Sequence, residues 1–149
     1  MKIAIGSDHA ALEAKAELKQ YLEDNGHVVM DQGTHNLDSC DYPDYAAKVS
    51  LLVQDATVDR GILICGTGIG MSMAANRFTG VRAALCYTEE LASLSRLHND
   101  ANVLCMGART QSIDSMKAII HTWLNTGWEG DRHANRLKKI ESNSRGQHA

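Results

Sequence analysis

Proline and aromatic side chains are scarce in this chain. Its 149 residues include one proline, Pro43, and one phenylalanine, beside two tryptophans and four tyrosines. A single proline excludes proline-rich linkers, and no low-complexity stretch or internal repeat divides the sequence. No apolar run approaches the roughly 20 residues of a membrane-spanning helix. Neither sign of charge dominates: 15 Lys and Arg stand against 18 Asp and Glu, a formal charge of −3. There is thus no general basic field to attract nucleic acid. The opening residues "MKIAIGSDHA" lack the long apolar region of a signal peptide, so a cytoplasmic location is expected. Cys40, Cys65, Cys86 and Cys105 form no CxxC pair, which excludes a zinc ribbon or a thioredoxin motif. A reducing compartment argues against disulfides, so each cysteine needs its own explanation.

What is present is an alternation of short apolar runs with longer amphipathic ones. Strands are expected at Lys2–Gly6, 27–31 ("HVVMD"), 60–65 ("RGILIC"), 81–86 ("VRAALC") and 102–107 ("NVLCMG"). Between them the period of the apolar residues predicts helices. These cover Ala10–Asn25, a segment from Pro43 to about Gln54, "MSMAAN", "EELASLSRLH" capped by Thr88, and Ser112–Thr126. A basic helix over about Arg132–Ser142 follows, and 142–149 reads as a frayed tail. Strand–helix alternation predicts an α/β fold: one Rossmann-like three-layer domain over residues 1–149, with a five-stranded parallel sheet and a C-terminal helix. "GILIC" and "RAALC" are apolar almost throughout, as strands covered on both faces should be.

In such sheets ligands bind beyond the carboxyl ends of the strands, which directs attention to the residues there. Ser7, Asp8 and His9 follow the first strand, Cys65 and "GTGIG" the third, and Gly107 and Arg109 the fifth. His98 and Asn99 close the fourth helix, and we expect them on the same rim. The loop Gly66–Gly70 is neither the dinucleotide fingerprint nor a Walker A loop. Its glycines allow close backbone approach, and free N–H groups at a helix start favour negative charge. A plain strand-to-helix turn would use the same residues. Cys65, just before that loop, is either a small core residue or a thiol activated by the helix start. Cys86 and Cys105, with no glycine loop after them, read as packing. Asp8 and His9 either cap the first helix or supply a carboxylate and an imidazole. His98 is either a helix-end charge partner or a general acid. His27, His35, His121, His133 and His148 show no metal spacing among themselves. Arg132 and Arg136, four apart, can share a helix face and grip a phosphate, or can simply be solvated.

Taken together, "GSDHA", "DYPDYA", "GILICGTGIGMSMAAN", "SRLHNDANVLCMGAR" and "GDRHANRL" resemble the type B ribose-5-phosphate isomerases, a family that includes the galactose-6-phosphate isomerase subunits. The likeness runs from residue 2 to about 140. It implies a Rossmann-like homodimer, often paired into a tetramer, with each active site assembled from two subunits and with no metal or organic cofactor. It implies interconversion of ribose 5-phosphate and ribulose 5-phosphate. Under the resemblance Cys65 is the base that moves a proton between C2 and C1, and His98 assists opening of the sugar ring. Asp8, His9, Tyr42 and Asn99 contact the sugar or its phosphate. The loop Gly66, Thr67, Gly68, Ile69, Gly70 stabilises the enediolate, and Arg109, Arg132 and Arg136 anchor the phosphate. Relatives lacking the cysteine use a carboxylate after the glycines; Ser72 and Met73 stand there instead. One departure is Asp131, where the family's "GGRH" has glycine. A hexose 6-phosphate isomerase acting on allose or galactose 6-phosphate is the alternative. A non-enzymatic sugar-phosphate or nucleotide-binding module is the third reading, although binding alone needs no acid–base pair.

Overall fold

A computed structural model describes residues 1–144 of the chain. Five strands, β1 (Lys2–Ser7), β2 (Val28–Asp31), β3 (Arg60–Cys65), β4 (Ala83–Leu85) and β5 (Val103–Gly107), form one all-parallel sheet in the order β2-β1-β3-β5-β4. Helices α1 (Leu12–Asp24), α2 (Tyr42–Gln54), α3 (Ile69–Ala75), α4 (Glu89–Asn99) and α5 (Ile113–Leu124) connect and follow them, and α6 (Ala134–Ser144) ends the described chain. No helix among the described residues is long and apolar enough to cross a membrane.

Side chains of a strand alternate between faces, and this splits the core in two. Ile3, Ile5, Ile62, Ile64, Leu104 and Met106 point to one face, against Leu18, Leu22, Ile120 and Trp123 of α1 and α5. Ala4, Leu63, Cys65, Val103 and Cys105 point to the other, against Val49 of α2 and Met71 and Ala75 of α3. Both faces are covered, so the expected three-layer α/β fold is the observed one. Cys65 lies on the α2/α3 side.

The differences from expectation have local causes. The Asp8 side chain accepts the Ala10 N–H at 3.1 Å and draws His9–Ala11 into a 3₁₀ turn, so α1 starts at Leu12. α1 also buries a charge: Lys15, 2% exposed, meets Asp31 at the end of β2 at 2.5 Å, and Asp31 accepts the Gly33 N–H as well. Burial works against ionisation of Asp31, but the Lys15 ammonium and the Gly33 N–H outweigh it and hold the carboxyl below its usual value. β4 is shorter than "VRAALC". Asn76 takes up both the N–H and the carbonyl of Ala83, while the Arg82 side chain turns to Asp100. The last helix begins at Ala134, after a 3₁₀ turn over Asp131–His133, and runs to Ser144, into the segment expected to fray. His148 lies outside the described residues.

Candidate active site

The carboxyl edge of the sheet carries Asp8 and His9 after β1, Cys65 ending β3, and Arg109 after β5. Cys65 is 5% exposed. The chain turns sharply after it because Gly68 adopts φ +80°, a left-handed conformation that L side chains avoid. That turn aims the Gly68 N–H at the Cys65 sulfur, 3.1 Å away. The loop thus holds a backbone donor on the sulfur. Cys86 and Cys105 lack such a donor from a turn. Burial pushes Cys86 up to about 11 and Cys105 well above the ordinary thiol value. Their reading as packing residues is correct.

The loop is fastened from several sides. The Ala108 N–H donates to the Cys65 carbonyl and the Arg109 N–H to the Gly66 carbonyl, both at 2.9 Å. The Arg109 guanidinium lies along Gly66, where an added Cβ would sit 3.3 Å from Nη1. Tyr87, at the end of β4, donates its hydroxyl to the Thr67 carbonyl. Tyr42, the first residue of α2, covers Gly70 so closely that a Cβ there would meet its ring at 2.5 Å. The Cys40 N–H donates to His9 Nδ1 at 3.2 Å, which leaves Nε2 to carry the ring proton. Six of the sequence-derived groups therefore meet on one edge: Asp8, His9, Tyr42, Cys65, the glycine loop and Arg109.

His98 and Asn99 are not on that rim, contrary to expectation. In a parallel sheet the connecting helix runs back, so the end of α4 lies at the amino end of β5. The five residues of β5, at roughly 3.3 Å each, put about 15 Å between the two edges. Arg132 and Arg136 are exposed and lie on either side of His133, the residue that stacks on His98. They do not share one helix, since Arg132 lies in the 3₁₀ turn and Arg136 in α6. The C-terminal segment docks on α4 through the Glu129 N–H to the Leu97 carbonyl at 3.1 Å. His133, 4% exposed, stacks on His98 with ring centroids 4.5 Å apart. Glu129 lies 3.7 Å from His98 and 3.4 Å from His133. A cavity of about 420 Å³ on this edge is lined by Phe78, Val81, Asn99 and Ile140 among others. Neither Cys65 nor any other thiol lines it.

Sequence reasoning gives Tyr87 a place at the end of the fourth strand but no role, and it misses the grouping of Glu129 and His133 with His98. His133 is 35 positions from His98, so no spacing rule joins them. Asp131 has φ +47°, which explains why a glycine is expected at that place; aspartate is among the few other residues that tolerate it.

A thiol under a backbone donor, a glycine turn and the Arg109 guanidinium meet at the carboxyl edge of a parallel α/β sheet, a setting that suits acid–base chemistry on an anionic substrate. The chain belongs to the Ribose/Galactose Isomerase family, which it matches over residues 3–140. It is 46% identical over 139 residues to ribose-5-phosphate isomerase B of Escherichia coli, covering 93% of each chain. It is 43% identical over 141 residues to a putative sugar phosphate isomerase of Bacillus subtilis, covering 94% of this chain and 95% of that one. Among solved structures it superposes on ribose-5-phosphate isomerase B of Clostridium thermocellum with a TM-score of 0.97 at 46% identity, over 98% and 99% of the two chains.

Proposed function

We propose that the protein is an aldose–ketose isomerase that interconverts D-ribose 5-phosphate and D-ribulose 5-phosphate. The observation that carries this is the Cys65 sulfur under the Gly68 N–H, at the head of a glycine turn in a chain of the isomerase family. In this reading Cys65 removes the C2 proton of the open-chain aldose. The C1 carbonyl oxygen takes up the charge of an enediolate, the O2 hydroxyl proton passes to O1, and the proton held by the thiol returns at C1 to give the ketose. Such a carbon acid is weak, so preset donors must meet the developing oxyanion. The first N–H groups of α3 have no intrahelical acceptor and serve that need together with the loop Gly66–Gly70. Asp8, His9 and Tyr42 position the sugar, and Arg109 neutralises phosphate charge. General acid–base help of this kind contributes ~10²–10⁴-fold, and the phosphate handle supplies orientation.

His98 opens the sugar ring, but it cannot reach the Cys65 of its own chain across the sheet. The site is therefore completed by a second copy, which brings His98, Asn99, Arg132 and Arg136. Exposed apolar residues beside each edge support a partner surface: Ile69 and Met73 on α3 near the thiol, Trp128 and Ile140 near the imidazole. The homodimer is the expected assembly, in the cytoplasm.

The test is conversion of ribose 5-phosphate by purified protein in chelator, beside Cys65→Ala. Activity that survives chelator and collapses in the variant supports the reading. Conversion of allose or galactose 6-phosphate alone would move the substrate to the hexoses. Full activity in Cys65→Ala would sink the assignment of the base. Iodoacetamide labelling of Cys65, slowed by ribose 5-phosphate, gives an independent check.

A further inference from the structure

At the amino edge His98, which the proposed isomerase reaction uses, stands beside two donors that the reaction does not call for, Glu129 and His133. We propose that His98, Glu129 and His133 form a binding site for a zinc-type divalent ion, and that its occupation inhibits the enzyme. Their ligand atoms lie within 4.8 Å of one another. A tetrahedral zinc ion with bonds of about 2.0–2.1 Å holds neighbouring ligand atoms about 3.4 Å apart. The distances from Glu129 Oε2 to the two Nε2 atoms, 3.4 and 3.7 Å, are close to that edge. The two imidazoles need only draw together, and His98, with its side chain 36% exposed, has the freedom to turn out of the stack.

A second observation points to a ligand. His133 Nε2 is buried and has no hydrogen-bond partner, although buried ring nitrogens are normally satisfied. It faces Glu129, the carboxylate that completes the set. The scaffold is preset: the His133 N–H donates to the Gly130 carbonyl, and Glu129 is tied to Leu97 one residue before His98. Two imidazoles and one carboxylate suit zinc or its neighbours rather than magnesium or calcium, which prefer all-oxygen shells. Three protein ligands leave the fourth position open to water or an anion. Arg132, adjacent to His133, holds affinity below that of a structural zinc site, as suits a reversible inhibitor.

Inhibition follows because the metal takes a ring nitrogen of His98 and fixes the orientation of a ring that must pass a proton; this consequence rests on the ring-opening role given to His98 above. The site itself does not. The experiment is calorimetric titration of the metal-free protein with Zn²⁺, beside Cys65→Ser, Glu129→Gln and His133→Gln. Tetrahedral Co²⁺ absorption serves as a second readout. One ion per chain in wild type and Cys65→Ser is expected, with affinity at least 10-fold weaker in each of the other two variants. Their melting temperatures without metal report folding, and loss of the Zn²⁺-dependent rise in a folded variant supports the site. No stoichiometric binding in the wild type overturns the proposal. So does binding that disappears in Cys65→Ser and persists in Glu129→Gln, since the thiol would then be the ligand. Binding at the three residues with isomerase activity unchanged upholds the site, overturns the inhibition and removes the role assigned to His98.

Discussion

The two edges of the sheet hold their reactive groups by different means. At the carboxyl edge, Cys65 is held by backbone: the Gly68 turn, the strand register with Gly107, and the Ala108 and Arg109 N–H groups. At the amino edge, His98 is held mainly by side chains, a stack on His133 and the Glu129 carboxylate, with one backbone bond, from the Glu129 N–H to the Leu97 carbonyl, docking the segment before α6. The first arrangement is rigid, because moving the thiol means moving two strands. The second is adjustable, because it depends on rotamers. On the proposed reading, the base that must sit within a fraction of an ångström of a carbon is placed by the stiffer device, and the group that passes protons at the ring oxygen by the softer one.

The sharpest way to break the comparison is to remove each reactive group. Cys65→Ala should lower kcat by about 10³-fold, and His98→Ala by less when the open-chain sugar is supplied. If the edges complete each other across two copies, mixing these inactive chains should recover about half the wild-type activity per heterodimer, because one of two symmetric sites regains both groups. No recovery in verified heterodimers would refute the shared site.

Next in size is the support under the carboxyl edge. Asp31→Asn leaves Lys15 buried without its counter-charge and should cost about 3 kcal/mol in urea unfolding. The folded Asp31 pKa is below the ordinary value. Its contribution is therefore complete above the unfolded carboxylate pKa of ~3.9 and fades as pH falls through the lower folded value. Wild type should lose stability over that acid window, and Asp31→Asn should lose less. An equal acid response in both would exclude Asp31 as its source.

Gly68→Ala tests the rigid turn. A side chain at φ +80°, with Cβ 2.8 Å from the Met106 carbonyl, costs about 1–2 kcal/mol for the conformation alone. The Gly68 N–H should also shift off the sulfur, so kcat should fall while KM changes little. Loss of stability with kcat intact would separate the turn from the chemistry. The smallest effect belongs to the adjustable edge: Asp131→Gly relieves φ +47° and should change stability by less than about 1 kcal/mol. It also removes a negative charge beside Arg132, and KM for ribose 5-phosphate should drop slightly.

The carboxyl edge was the more legible of the two from sequence. "RGILIC" followed by glycines could hardly be anything but a buried strand entering a turn, and strand ends in a parallel sheet share one rim by topology. The same logic misplaced His98, because a residue just before a strand is at its amino end whatever its chemistry. Lys15 sat within an apolar helix face that masked it, and Asp31 is 16 residues away across a strand. Glu129 and His133 join His98 through a fold-back of the C-terminal segment, which no local period encodes. What reads well from sequence is held by backbone; what does not is held by side chains meeting from distant segments.

The opposition of the two edges has a kinetic consequence. If Cys65 and His98 act as proposed, from opposite rims of each chain, a monomer contains no complete catalytic unit. Turnover per chain then depends on how many chains there are: on dilution below the dimer dissociation constant, specific activity should fall with total protein and return on concentration. On that reading the sheet's polarity makes the amount of enzyme a control on its quality.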